Sequence, residues 1–227
     1  MIHPRRPRSP RGSGARLRTE ILDATAELLA KRGHADHVSI RDVGRAVGVS
    51  APSIYRHFAD KDELLEAVVA RAFEELSVAM RAATDPAQPP MYRLRDQGTA
   101  YVRFALDHPA QYRVATAPAE QGGAVDRVLT SGAFHLFTET IRECMDEGTI
   151  APGDPTPIVL EMWAAAHGIA SLVIARPFLP WGVVERTAER VMAAACVGHA
   201  VLDIIGETEP AVVQRWLDQV RNDPPAG

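Results

Sequence analysis

The chain has 227 residues, 46% of them apolar and 24% charged, with a net charge of −4, enough length to bury a real core in one or two globular domains. Its two cysteines, Cys144 and Cys196, are far apart and match no CxxC or Cys/His ligand spacing, which excludes a disulfide framework and a zinc site and fits reduced thiols. No apolar run reaches the roughly 18 residues of a membrane span: the longest candidate, Val191 to Ile205, is interrupted by His199 and Asp203. The N-terminus has no apolar stretch of a secretory signal, and the expected location is the cytoplasm, with no membrane partner.

Charge is unevenly spread. Met1 to Glu63 holds 12 Lys and Arg against 8 Asp and Glu, a net of +4, which leaves 13 against 21, or −8, for the rest. Arg5, Arg6, Arg8, Arg11, Arg16 and Arg18 precede the first acid, Glu20, so residues 1–15 read as a disordered basic arm, either drawn to a polyanion or simply solubilising.

Helical periodicity dominates, and no alternation is long enough for a strand. The expected class is all-α. A first helix from about Arg16 to Arg32 carries Ile21, Leu22, Leu28 and Leu29 on one face, with Thr25 between them and Gly33 ending it. Two short helices follow, Ser39 to Val47 and Ser50 to Phe58, then a long one from Lys61 to about Ala83. The segment Asp85 to Pro90, with three prolines, breaks the helix and reads as the boundary region between N- and C-terminal parts. Further helices are expected at about Met91 to Asp107, Pro109 to Ala115, Ala124 to Glu147, Pro157 to Arg176, Val183 to Ile205 and Pro210 to Arg221. The domain reading is arm 1–15, a helix-turn-helix domain 16–62, a larger helical domain 63–221 and a tail 222–227.

The run from Ser39, SIRDVGRAVGVSAPSIYRHFADKDELL, specifies two short helices around a tight turn. Ser39 can cap the first helix with Asp42 at N3, while Ile40, Val43 and Val47 form its inward stripe. Gly48 sits where a left-handed residue is wanted. Ser50 is placed to cap the second helix, Pro52 is tolerated in its first turn, and Ile54 and Phe58 bury one face. Outward stand Ala51, Ser53, Tyr55, Arg56 and His57, small at the helix start and polar or cationic beyond it, a face suited to a major groove. Asp60 caps the long helix, with Lys61 placed for a backbone phosphate.

The array from Ile21 to Leu65 resembles the N-terminal domain of TetR-type transcriptional regulators. It comprises the helix ending at Gly33, the stretch Ser39 to Val43, the turn Gly48-Val49-Ser50, and Ile54-Tyr55-Arg56-His57-Phe58 followed by Lys61. The resemblance implies a three-helix DNA-binding domain in which Arg41 reads a base, Ser39, Tyr55, His57 and Lys61 hold phosphates, and Ser53 and Arg56 occupy variable recognition positions beside Ser50 and Ala51. Three alternatives stay open at single residues: an ion pair of Arg41 with Asp42 or a neighbouring acid, surface packing for Tyr55, and a helix-end role for His57.

The stretches Tyr101 to Arg113 and Glu161 to Pro177 resemble a TetR subgroup with a Trp, His and Gly signature, here Trp163, His167 and Gly168. Family membership implies a C-terminal domain that binds a small-molecule effector and dimerises. Trp163 and His167 share a helix face with Met162 adjacent, and together with Tyr101, Phe104, Tyr112, Phe134 and Phe137 they either line a pocket or belong to the core. In the helix from Val183, Val184, Ala188, Val191, Ala195, Gly198 and Leu202 make a narrow seam of small residues. It pairs the last two long helices with their copies in a two-fold dimer, or serves a bundle within one chain.

The expected function is a DNA-binding transcriptional regulator, a ligand-responsive repressor holding a palindromic operator as a homodimer, without cofactor or metal. Alternatives are a helical interaction module that does not bind DNA and a small-molecule enzyme; no GxxxxGK, GxSxG or HExxH motif supports the latter.

Overall fold

In a computed structural model, described for residues 13–33, 35–116, 132–206 and 209–222, the described residues form ten α-helices and no strand. The first four are α1 (Ser13–Arg32), α2 (Ile40–Val47), α3 (Ala51–Ile54) and α4 (Lys61–Ala82). Then come α5 (Pro90–Asp107), α6 (Pro109–Ala115), α7 (Gly132–Asp146), α8 (Thr156–Ala175), α9 (Val184–Ile205) and α10 (Pro210–Asn222). Most of the basic arm, and residues 124–131 of the expected helix before Glu147, lie outside the described residues. Helix α1 starts at Ser13, so Arg16 and Arg18 are helical, and Arg16 pairs with Glu20 at 2.9 Å.

Two compact units divide the chain. The first takes residues 1–79 and 104–133, the second 80–103 and 134–227. The division therefore differs from the sequence expectation at both ends: the first unit extends past position 62 and includes α6, which packs on α1, and the proline-rich segment lies inside the second unit, residues 85–89 as a loop and Pro90 as the first residue of α5. A linker composition marks where a helix must stop, but compactness depends on which helices bury one another, and proline spacing carries no information about that.

In the first unit, Ile21, Leu22, Ala26 and Leu29 of α1 meet Val38, Ile40, Val43, Ile54, Phe58, Leu64 and Val68 in one core. Each fully buried aliphatic residue contributes about 1.5–3 kcal/mol. Thr25 is also buried, and its hydroxyl donates to the Ile21 carbonyl at 2.7 Å, so the polar atom is satisfied within its own helix. Leu28, expected on the apolar face, is only partly buried. Gly33 ends α1 with φ +80°, its amide bonded to the Leu29 carbonyl at 2.9 Å.

In the second unit, α5, α7, α8 and α9 supply the core. Helix α8 buries Ile158, Val159, Met162, Ala166, Ile169, Ala170 and Val173, and α9 packs on it through Ala188, Met192 and Cys196. The twenty residues of α8 are long and apolar enough to cross a membrane by length and composition, a length the sequence reading denied to every segment. Its one acid, Glu161, and His167 are spaced so that apolar side chains still dominate every window, and its buried stripe is engaged with α9. Burial raises the Cys144 thiol to about 11 and the Cys196 thiol to about 12, so neither is a reactive thiolate near neutral pH.

The turn between α2 and α3 rests on two glycines with different constraints. Gly48 adopts φ +76° and needs its backbone freedom. Gly44, inside α2, needs space: a Cβ there would stand 2.9 Å from the Val49 carbonyl oxygen, which is backbone and cannot swing away. Gly44→Ala is expected to lower stability by about 1–3 kcal/mol despite alanine's better helix propensity, measured by thermal or urea unfolding; an unchanged or raised midpoint would show that the turn yields.

Candidate nucleic-acid interface

Helix α2 begins with a complete capping box. Ser39 Oγ accepts from the Asp42 amide at 3.2 Å, and the Asp42 carboxylate accepts from the Ser39 amide at 3.3 Å and the Ser39 hydroxyl at 2.7 Å. Arg32, from the end of α1, closes on the same carboxylate at 2.7 Å and also donates to the His37 carbonyl, while Arg45 stands 3.7 Å away. The hydrogen bond from Arg32, followed by that from Ser39, holds the Asp42 carboxyl well below the usual carboxylate range, and Asp42 in turn raises Arg32. An acid on a basic surface is thereby neutralised by two arginines. Sequence reading missed Arg32, whose partner lies ten positions away across a turn.

Arg41 is exposed, and the acid beside it is taken by Arg32 and Arg45; among the described residues Arg41 forms no ion pair with an acid. The ion pair of Arg41 with Asp42 is therefore not formed, and Arg41 stands exposed. Ser39 stands differently from the expectation: its hydroxyl hydrogen is committed to Asp42, so it meets a phosphate only through rearrangement of the cap.

Helix α3 is one turn long, with a hydrogen-bonded turn through Phe58: Tyr55 N bonds to the Ala51 carbonyl at 3.1 Å and Phe58 N to the Ile54 carbonyl at 3.1 Å. Ser50 occupies the N-cap position, but its side chain makes no cap bond; its hydroxyl lies 3.0 Å from the Ser53 hydroxyl, to which Arg56 Nη2 also donates at 3.2 Å. The expected cap is corrected on that ground: the neighbouring hydroxyl competes for the Ser50 oxygen. Ser50, Ser53 and Arg56 thus form a connected polar row on the outward side. Ala51 is half-buried against the core, and Tyr55 is 52% exposed. Ile54 and Phe58 are buried, with the Arg18 guanidinium 5.0 Å above the Phe58 ring. His57 is half-buried, with the backbone of Gly14 close to its ring. Asp60 Oδ1 caps α4 through the Glu63 amide at 2.8 Å, Glu63 reaches back to the Ala59 amide, and Lys61 stands half-exposed in the first turn.

The effector candidates divide between the two units. Phe104 and Tyr112 are buried in the first; Tyr101, Phe134, Phe137, Met162, Trp163 and His167 belong to the second. Within the second, Trp163 Nε1 donates to Tyr101 Oη at 3.2 Å, Tyr101 Oη lies 3.4 Å from His167 Nδ1, and Trp163 is 5.2 Å from the His167 ring and 5.6 Å from Phe134, centroid to centroid. Burial lowers the His167 pKa from its ordinary value. Met162 turns elsewhere, towards α9, with Cys196 Sγ 3.8 Å from its sulfur. Among the described residues no group of three His, Cys, Asp or Glu side chains is placed to hold a metal.

The α9 seam also divides. Ala188 is buried within the chain, one turn before Met192 on the face that meets α8. Its small side chain fits the close helix crossing equally well in either setting, and periodicity alone does not separate them. Val184, Val191, Ala195 and Gly198 are half-exposed and Leu202 is 38% exposed.

Residues 21–68 match the family of bacterial regulatory proteins of the tetR type, and residues 94–206 match the tetracyclin repressor-like C-terminal domain. A protein of unknown function from Rhodococcus sp. RHA1 is 30% identical, with 81% of this chain and 95% of that chain covered and a TM-score of 0.67. A TetR family transcription regulator from Marinobacter aquaeolei VT8 shares the fold at 20% identity and TM-score 0.66, covering 82% and 98% of the two chains. The nucleoid occlusion factor SlmA of Vibrio cholerae serotype O1 is 26% identical over 151 residues, 65% of this chain and 76% of that protein. With the capped helix-turn-helix, the outward polar row and both halves of the family pattern in one chain, this protein belongs to the TetR family of bacterial regulatory proteins and is a DNA-binding transcriptional regulator.

Proposed function

We propose that this regulator is a cytoplasmic, ligand-responsive repressor that grips a palindromic operator as a homodimer, and has no catalytic role. The observation that carries the DNA half of this reading is the outward row Ser50, Ser53 and Arg56 with Tyr55 and Arg41 exposed beside it, on a turn pinned from behind by Ile54 and Phe58. In this reading Tyr55, His57 and Lys61 hold phosphates, and Arg41, Ser53 and Arg56 choose sequence. Ser39 and Ala51 shape the approach. Binding to the protein's own upstream DNA, set against scrambled DNA over a salt series, is the test; equal affinity for both at every salt concentration would reduce the protein to an interaction module.

Arg41→Ala is expected to cost about 1–3 kcal/mol on the cognate site and to relax preference at one base pair, whereas Lys61→Ala weakens all sequences alike and flattens the salt slope by about 1. Competition binding against single-base operator variants distinguishes the two.

Dimerisation through α8 and α9 is supported by what the chain leaves uncovered. Gly198 has open space where a Cβ would stand, as does Gly168 on α8, and Leu160, Leu172, Val197 and Leu202 are exposed nearby in the sequence of the same two helices. Two copies related by a two-fold axis bury the same patch on both. Gly198→Glu is expected to halve the sedimentation mass; an unchanged mass would place the interface elsewhere.

Effector control is read as a population shift, in which a small molecule favours a spacing of the two reading heads that no longer fits successive half-sites. The aromatic group around Trp163 and His167 supports the second unit as the site. Because burial depresses the His167 pKa, the unfolded chain takes up this proton first; stability is present above the ordinary value and is lost as pH falls through it towards the lower folded value. Between about pH 7.5 and about pH 5.5, the melting temperature of the wild type is expected to fall more than that of His167→Gln. Parallel curves would remove His167 as a buried neutral group.

A further inference from the structure

Helix α1 carries four cations, and three of them are taken. Arg16 pairs with Glu20 at 2.9 Å, Lys31 with Glu27 at 3.3 Å and Arg32 with Asp42 at 2.7 Å. Arg18 is exposed and, among the described residues, forms no ion pair. Its guanidinium lies 5.0 Å over the Phe58 ring instead, and that ring is itself only 1% exposed. A cation over an aromatic face is held by the ring while its N–H donors stay uncommitted to any acid.

The place of Arg18 in α1 gives this contact its meaning. It precedes Ile21 by three residues and Leu22 by four, so it continues the buried stripe of the helix by one turn. Gly14, one turn earlier on the same stripe, stands beside the His57 ring. The first turns of α1 therefore run along the end of the α3 turn, Gly14 at His57 and Arg18 at Phe58, before the helix enters the core. The acids that follow Phe58 are directed elsewhere: Asp60 caps α4 through the Glu63 amide at 2.8 Å, and Glu63 turns back to the Ala59 amide. An apolar side chain would cover Phe58 as well as an arginine stem does. What arginine adds at this position is a restrained positive charge at the edge of the α3 turn.

We propose that Arg18 is a further DNA contact of this regulator, a phosphate-binding residue supplied by α1 and held in place by Phe58. In a helix-turn-helix the N-terminal residues of the second helix meet the base edges, here Ala51 and Ser53, and Arg18 stands at the opposite end of α3, beside His57. Its partner is backbone phosphate, so it adds affinity and register and does not choose sequence. This rests on the orientation of α3 towards the groove proposed above and extends the contact surface to a residue outside the motif.

A phosphate contact registers on any duplex, so the test needs no known operator. Full-length wild type, Arg18→Met, Arg18→Lys and Arg16→Met are titrated with the protein's own upstream DNA and with scrambled DNA from about 50 to about 300 mM salt. Arg18→Met keeps an unbranched side chain over Phe58 and removes the charge. It is expected to weaken both DNAs alike, about five- to tenfold near 100 mM salt, and to flatten the salt slope by about 0.9 for each bound protomer, with the melting temperature unchanged. Arg18→Lys restores the slope. Arg16→Met removes the same charge about 200° around the helix and is expected to stay within about twofold of the wild type. An Arg18→Met slope equal to that of the wild type overturns the proposal, and a lowered melting temperature beside it shows that Arg18 only covers Phe58. Equal losses in Arg16→Met and Arg18→Met overturn it in favour of a general field effect. A loss confined to upstream DNA at unchanged slope overturns it in favour of base reading. A wild type without salt dependence on either DNA removes the groove orientation of α3 and Arg18 with it, a failure visible before any variant is compared.

Discussion

A helix of four residues forms no continuous ladder of its own, since one turn fixes several dihedrals for a single hydrogen bond. The proposed reading head of this protein is such a helix, and its position depends on the burial of Ile54 and Phe58 in the core shared by α1, α2 and α4. Everything outward on α3 and its turn is presented by these two anchors. The Gly44 backbone lying against the Val49 carbonyl lets the turn come in close enough for Ile54 to reach. The polar surface proposed to meet DNA is therefore set from behind, by apolar packing on its opposite side.

Electrostatics completes that surface by cancelling a liability. An acid in the first turn of α2 favours the helix dipole and the cap, yet it would repel a polyanion on the face proposed to meet DNA. Arg32 and Arg45 close on Asp42, so capping is retained while its negative charge is offset. The same arrangement occupies Ser39, and it leaves Arg41, next to the acid in sequence, clear of it in space. Placement of charge here follows from α1 ending beside the start of α2, a tertiary relation.

The second unit is organised differently. Its interior holds a polar chain, Gln97 to Thr140 on one side and Trp163 to Tyr101 to His167 on the other, within walls of Phe, Met, Ile and Val. Buried polar networks of this sort are costly unless their members are satisfied, and among the described residues Gln97 Oε1 is the one buried side-chain polar atom without a partner. Meanwhile α8 and α9 spend only one face each on the chain itself, leaving small and apolar residues outside. The proposed coupling of a ligand to a pair of reading heads would draw on both features in one unit.

Residue order alone was enough for the helices, because period and caps are local: the ends of α2, α4, α6 and α9 follow from Ser39, Gly48, Asp60, Pro109 and the residues flanking Val184 to within about one position. The family motif was legible for the same reason, being a contiguous run with fixed turn chemistry. Three things were not legible. The partner of Asp42 came from α1, not from its neighbour Arg41. The aromatic candidates fell into two units, with Phe104 and Tyr112 in one and Trp163 in the other, and Ala188 turned out to serve the chain's own core. Each of these depends on which surfaces meet after the helices have formed, and spacing along the chain is silent on that, since residues far apart in sequence compete for the same contact only once they are packed.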